Sequence, residues 1–293
     1  MATISDNIRG ALFMIGAMVT FTVNDAFMKA LGGDIGPFQA LVLRGTLTTL
    51  WLAILVWHGG YWRQKIAGKD WRLIVARTAC EAIAAWLFIT SLFHMEIANL
   101  SAILQSLPLT VTLAGALFLG EAVGWRRLAA ICIGFIGILM IIQPGSGNFN
   151  TYSYYAVALV GFVTARDLIA RRISAELPSV LVALLTAFGV TVAAGFGALS
   201  ENWATVEPRQ WALLFAASLL IIGGYIFSVA AMRVGEISFV SPFRYSSLIV
   251  AMLLGAVMFG TFPEGWALVG AALVVTTGLY TFMRENKLRK SSQ

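Results

Sequence analysis

The sequence predicts an all-α membrane protein, with ten transmembrane helices in a 5+5 inverted-topology repeat. Three observations carry the membrane part of that prediction. Hydrophobic residues make up 59% of the 293-residue chain, charged residues only 12%, and mean hydropathy is +0.84. An ordinary soluble domain carries roughly 25% charge, so this composition excludes a soluble enzyme as well as a disordered chain. Apolar runs of about 20 residues recur, the length a helix needs to cross a hydrocarbon core about 30 Å thick. The runs are continuous and lack the alternation of barrel strands, so helices must satisfy the backbone in lipid.

The first run, Ile8–Leu31, has Arg9 ahead of its apolar stretch and imitates a signal peptide. It is too long for such a segment and is interrupted by Asn24 and Asp25, so it reads as a retained helix. The second, Pro37–Trp57, is followed by a small basic loop; the third, Trp71–Phe93, carries Arg77 and Glu81. The fourth, Ala98–Leu119, contains Pro108 in mid-span, where the ring frees the Leu104 carbonyl. The fifth, Arg126–Gln143, holds Gly134 and Gly137, which suit close helix approach. Tyr152–Arg172, with Arg166 and Asp167, is the sixth, and Ser179–Leu199 and Gln210–Met232 follow. The ninth, Ile237–Phe259, includes Pro242, which frees the Ser238 carbonyl, and Gly265–Met283 is the tenth. Ala116-xxx-Gly120 and Ala251-xxx-Gly255 are further small-residue packing patterns. Trp57, Tyr61, Trp62, Trp71, Trp125, Tyr152, Tyr154, Tyr155, Trp203, Trp211 and Trp266 fall near run ends and read as interfacial anchors.

Basic residues orient the spans. One set of loops and tails holds Arg9, Arg63, Lys65, Lys69, Arg72, Arg126, Arg127, Arg171, Arg172, Arg233, Arg284, Lys287, Arg289 and Lys290. The opposite set holds only Lys29 and Arg209. The first set is therefore expected on the cytoplasmic side, with both termini there. The net charge of +6 needs no nucleic-acid partner, because no basic array with interleaved aromatics occurs.

The halves repeat each other weakly but in order. Ser91, Met95 and Ser101 fall against Ser228, Met232 and Ser238 at one offset; Trp125 and Gly137 fall against Trp266 and Gly278. Asn24-Asp25 and Lys29 align with Arg166-Asp167 and Arg171. The expected division is a five-helix repeat over 1–146 and a second over 147–293, within one membrane domain. An odd number of spans per repeat makes the second enter from the opposite side, the architecture of alternating-access carriers.

The stretch from Ser91 to Pro144 carries three telling elements: the turn Met95-Glu96-Ile97-Ala98, Pro108, and Phe118-Leu119-Gly120-Glu121. With the second copy, Met232-Arg233-Val234-Gly235 through Ser241-Pro242-Phe243-Arg244-Tyr245, it resembles the EamA-type drug/metabolite transporter superfamily. The chain departs from the family pattern at Thr261, where a glutamate often stands. The resemblance covers nearly the whole chain. It implies ten helices in a 5+5 inverted repeat and export of small metabolites, most like bacterial exporters of aromatic amino acids in the inner membrane.

Ionisable residues inside spans cost about 2.5–3.5 kcal/mol each on insertion scales and usually face the bundle interior. Here they are Asp25, Arg44, Arg77, Glu81, Arg166, Asp167 and Arg244. Asp25 with Lys29, Arg77 with Glu81, and Asp167 with Arg171 are spaced i,i+4, so they either neutralise one another or serve transport. In the functional reading Asp25 or Glu81 binds a proton or a substrate amine, and Arg44 or Arg244 meets a carboxylate. Gln105 and Ser241, beside Pro108 and Pro242, and the mid-span phenols Tyr225 and Tyr245 complete the substrate-pathway candidates.

No catalytic, metal or cofactor site is expected. Cys80, Cys132, His58 and His94 have no metal-ligand spacing, and no nucleophile stands with a base at usable spacing. A phosphate-binding G-x-x-x-x-G-K-[ST] loop is also missing, so ATP is not the direct energy source. The expected function is a secondary-active exporter of amino acids, aromatic or other neutral ones. The alternative is a channel-like uniporter or facilitator. Expected partners are a small-molecule substrate, membrane lipid and, as the candidate coupling ion, protons.

Overall fold

The computed structural model describes residues 4–119, 125–143, 151–170, 172–174, 176–234, 240–263 and 265–291. Gly120, Glu121, Arg171, Gly235 and Ser238, which figure in the motifs and pairs above, lie outside them. The described chain is helical: α1 (Ile4–Lys29), α2 (Pro37–His58), α3 (Gly68–His94), α4 (Ile97–Leu104), α5 (Leu107–Leu119), α6 (Trp125–Ile142), α7 (Thr151–Ala170), α8 (Ser179–Ala198), α9 (Pro208–Val234), α10 (Ser246–Phe259) and α11 (Gly265–Ser291), with 3-10 turns at Tyr61–Arg63 and Ser241–Tyr245. Seven segments among the described residues are long and apolar enough to cross a membrane, α4 and α5 counting as one, Ile97–Phe118. Three shorter apolar helices, Leu128–Ile142, Phe243–Phe259 and Gly265–Tyr280, fall on the remaining runs. Large apolar side chains such as Leu12, Leu50, Phe118, Phe196 and Val257 are exposed along the helices, as lipid contact requires. This is an integral membrane protein.

Local chemistry sets the helix ends. Asp6 in the first turn of α1 and Lys29 in its last complement the helix dipole. Pro37 opens α2, where its missing N–H is harmless. Gly260, with φ of 63°, ends α10 in the left-handed conformation that a side chain would strain, and the Thr261 N–H then returns to the Gly255 carbonyl at 3.0 Å.

The fourth run departs from the expected continuous helix. Helix α4 stops at Leu104, Gln105 and Ser106 form a turn, and α5 restarts at Leu107 with Pro108 in its first turn. The Gln105 N–H reaches Ser101 and Ala102 carbonyls, and the Ser106 hydroxyl donates to Ile103 O at 2.6 Å. A break costs less than a kink here, because the turn satisfies its own backbone groups and the proline needs no donor. Pro242 likewise stands in the 3-10 turn Ser241–Tyr245, not within α10.

By spatial contact the chain forms two compact units, each drawing on both sequence halves. The first comprises Met1–Ala26, Met95–Ser153 and Leu220–Gln293. Within it, α1 packs on the later part of α9 through the stacked rings of Phe13 and Phe227 (6.3 Å) and the edge contact of Phe21 with Tyr225 (5.4 Å). Helices α6 and α11 touch backbone to backbone: a Cβ on Gly137 would stand 2.8 Å from the Gly270 carbonyl, and one on Gly270 would stand 2.5 Å from that of Gly137. Such approach is the use of small residues in membrane helices.

The second unit comprises Phe27–His94 and Tyr154–Leu219. Helix α8 meets α2 at Gly45 and Thr191 and meets α3 at Gly189 and Thr78. The Glu201 carboxylate, in the connection after α8, caps α2 by accepting the Phe38 and Gln39 N–H groups at 3.0 and 2.9 Å. Gln39 and Ala204 exchange a reciprocal pair of bonds beside it, at 2.7 and 3.0 Å. At the other end of the unit, Asp70 accepts the Ser174 N–H at 3.1 Å.

Candidate functional site

The strongest concentration of intramembrane charge lies in the second unit, between α3 and α7. Arg166 Nη1 donates to both oxygens of Glu81, at 2.9 Å to Oε1 and 2.7 Å to Oε2, and its Nε donates to Asp167 Oδ1 at 3.0 Å. The Arg166 and Glu81 side chains are 23% and 21% exposed, whereas Asp167 is 43% exposed, so the ion pair is mostly desolvated and its second carboxylate is accessible. One guanidinium holding two carboxylates leaves the trio one negative charge in excess. A cation or ammonium group is favoured beside it by simple Coulomb attraction.

The i,i+4 reading of Arg77 and Glu81 is therefore corrected. Glu81 takes its cation from α7, and Arg77 instead donates to Thr186 Oγ1 on α8 at 2.6 Å. A single nitrogen of Arg166, Nη1, reaches both Glu81 oxygens, which leaves Nε for Asp167, and helix adjacency places the group there.

Aromatic rings stand further along α3. Trp86 lies parallel to Phe38 (centroids 6.2 Å apart, 3° between planes) and packs against Tyr155 at 5.6 Å. Tyr155, expected as an interfacial anchor, is thus half-buried against Trp86. Leu41, Ala82 and Ile83 help to enclose a cavity of about 200 Å³ walled by Phe38 and Trp86. The walls of this cavity are apolar, and the charged cluster stands apart from it, about one and a half turns earlier on α3 at Glu81.

Arg44, half-buried on α2, also belongs to this unit, and its carbonyl accepts the Thr48 hydroxyl at 2.9 Å. The other expected residues lie in the first unit. Asp25 is half-buried and its Oδ1 accepts Asn24 Nδ2 at 2.9 Å. Gln105, in the α4–α5 break, is buried and donates to Ser247 Oγ at 2.6 Å, which brings it to the segment that holds Ser241, Arg244 and Tyr245. Ser241 opens the 3-10 turn; Arg244 is exposed; the buried Tyr245 hydroxyl leans on Gly278 and has no hydrogen-bond partner among the described residues. Tyr225 is exposed and edge-on to Phe21, and Pro108 is exposed. Sequence reading passed over Arg166 as a pathway residue and Trp86 altogether. Trp86 lies inside the third apolar run, and its ring meets the first turns of α2 and α7 at Phe38 and Tyr155.

Comparison with known proteins fits this picture of charge and aromatic surface inside a helical membrane protein. Residues 8–143 match the EamA-like transporter family. The first half of the chain is thus similar to EamA-like transporters. Similar along nearly their whole length are the riboflavin transporter of Vibrio cholerae serotype O1 (27% identical; 96% of this chain and 95% of that one) and the S-adenosylmethionine uptake transporter of Rickettsia felis (22%; 92% and 91%). The pseudopaline exporter CntI of Pseudomonas aeruginosa is 25% identical over 91% of this chain and 93% of its own. A solved crystal structure with 17% identity superposes with a TM-score of 0.66, over 95% of this chain and 98% of its own, and shares the fold. With this domain and these relatives, the chain is a small-metabolite transporter and not an enzyme.

Proposed function

We propose that this transporter is a secondary-active exporter of amino acids, aromatic or other neutral ones, in the bacterial inner membrane. In this reading it has ten crossings in two inverted five-helix repeats, 1–146 and 147–293, with both termini in the cytoplasm, and works by alternating access. The observation that carries the substrate assignment is the Glu81–Arg166–Asp167 cluster, with the Trp86 ring five residues beyond Glu81 on α3 and Tyr155 packed on that ring. A zwitterion needs both signs of charge within reach, and an aromatic side chain gains from flat ring surfaces. The substrate ammonium takes a carboxylate of Glu81 or Asp167, and the substrate carboxylate competes for the Arg166 fork. Binding thus trades contacts within the Glu81–Arg166–Asp167 trio for contacts with the substrate, and a proton on Glu81 serves as the return load. Asp25, Gln105, Ser241, Arg244 and Tyr245 offer polar contacts on the pathway of the other unit, and Arg44 on this one.

A second reading, transport of a flat heteroaromatic such as riboflavin, is favoured by the riboflavin transporter's 27% identity across the chain. Uptake of labelled amino acids, riboflavin and S-adenosylmethionine by proteoliposomes separates the two. Saturable flux of phenylalanine or tryptophan that unlabelled tryptophan competes away is expected. Flux of riboflavin alone would reject the amino-acid assignment.

A further inference from the structure

The second unit carries another feature: an apolar furrow along the seam of α3 and α8. Two cavities of about 440 and 200 Å³ share Ala82 and Ala193 in their walls, so they adjoin. The furrow is floored by small residues. Gly189 lies so close to Thr78 that a Cβ there would come within 2.5 Å of its methyl group, and Ala79 and Ala193 are exposed beside it. A slot narrow enough for one hydrocarbon chain results.

One end of the furrow is marked by charge. Trp71 lines the larger cavity and stands in sequence between Lys69 and Arg72, both exposed, with exposed Arg63 and Lys65 just before them. The acid of this segment, Asp70, is buried and engaged by the Ser174 N–H. That bond holds the connection after α7, with exposed Arg172 and Glu176, at the start of α3. Trp57 and Trp62 stack at 5.6 Å with the Arg63 guanidinium 4.8 Å above the Trp62 ring, an interfacial arrangement at headgroup level.

We propose that the furrow is a phospholipid site. One acyl chain lies between α3 and α8, and an anionic headgroup sits among Lys69, Arg72 and the preceding basic residues. Charge complementarity selects this occupant: a second copy of the chain docked here about a two-fold axis along the membrane normal would set the same cationic segments against each other, whereas a phosphodiester neutralises them.

The test uses the full-length protein in nanodiscs of equal parts phosphatidylglycerol and phosphatidylcholine, with retained lipids counted by native mass spectrometry. The wild type should retain phosphatidylglycerol in preference. Lys69→Gln with Arg72→Gln should weaken that preference by about fivefold for each charge removed. Ala193→Phe, which fills both cavities with the charges intact, should lose the retained lipid, and Ala79→Leu provides a milder filling variant should the first fail to fold. Equal retention of the two lipids by the wild type, or undiminished phosphatidylglycerol in folded filling variants, overturns the proposal. So does a wild-type dimer that a filling variant converts to monomer.

Discussion

Glu81 and Arg166 form a largely desolvated pair, so removing one member strands the other. Arg166→Ala should therefore destabilise the protein by about 3 kcal/mol, read as a lowered midpoint of thermal unfolding in detergent. Glu81→Gln keeps a hydrogen-bond acceptor for Arg166, whose charge Asp167 still balances, and should leave folding near wild type while lowering transport at least about tenfold, the loss expected for a charge-assisted contact. Wild-type flux in a folded Glu81→Gln protein would remove this residue from the pathway. Trp86, parallel to Phe38, provides ring surface without charge. Trp86→Ala should raise KM for tryptophan by several-fold and leave that for alanine little changed, in keeping with about 1 kcal/mol for an aromatic pair. Equal effects on both substrates would make Trp86 a packing residue.

At the level of helices, termini and contacts follow from side chains that are few and specific. Glu201→Ala deletes both acceptors at the start of α2 and should cost about 1–2 kcal/mol, whereas Glu201→Gln should cost less; thermal unfolding distinguishes them. Gly270→Val puts a branched side chain where the Gly137 carbonyl stands and should prevent α6 and α11 from closing, seen as loss of a cooperative transition. The helices themselves were legible in composition, because a 20-residue apolar run in lipid has one way to satisfy its backbone. Pro108 was legible as an irregularity, but not as a full break. A proline in a membrane helix often only kinks it, whereas here the chain turns at Gln105–Ser106, with the Ser106 hydroxyl on the Ile103 carbonyl, and starts a new helix. The pairing of Glu81 was not legible. Arg77 is its neighbour on the same helix face, and a partner 85 residues away is set by the packing of α3 with α7. Tyr155 shows the same limit, since proximity to a helix end suggests an anchor until Trp86 is seen against it.

For the molecule as a whole, the proposed orientation follows from the unequal sharing of basic residues between the two sets of loops. Cysteines introduced at the tail beyond Met283 should resist a membrane-impermeant thiol reagent in intact cells, and one at Asn202 should react. The reverse pattern would invert the topology. The central claim is a carrier that moves zwitterionic aromatic solutes by exposing one charged site to each side in turn. Counterflow tests it most directly: proteoliposomes loaded with unlabelled tryptophan, diluted into labelled tryptophan, with wild type and Glu81→Gln side by side. The account predicts a transient overshoot of label in the wild type that is lost in the variant. Label entering at a rate indifferent to internal tryptophan, in both proteins alike, would contradict it.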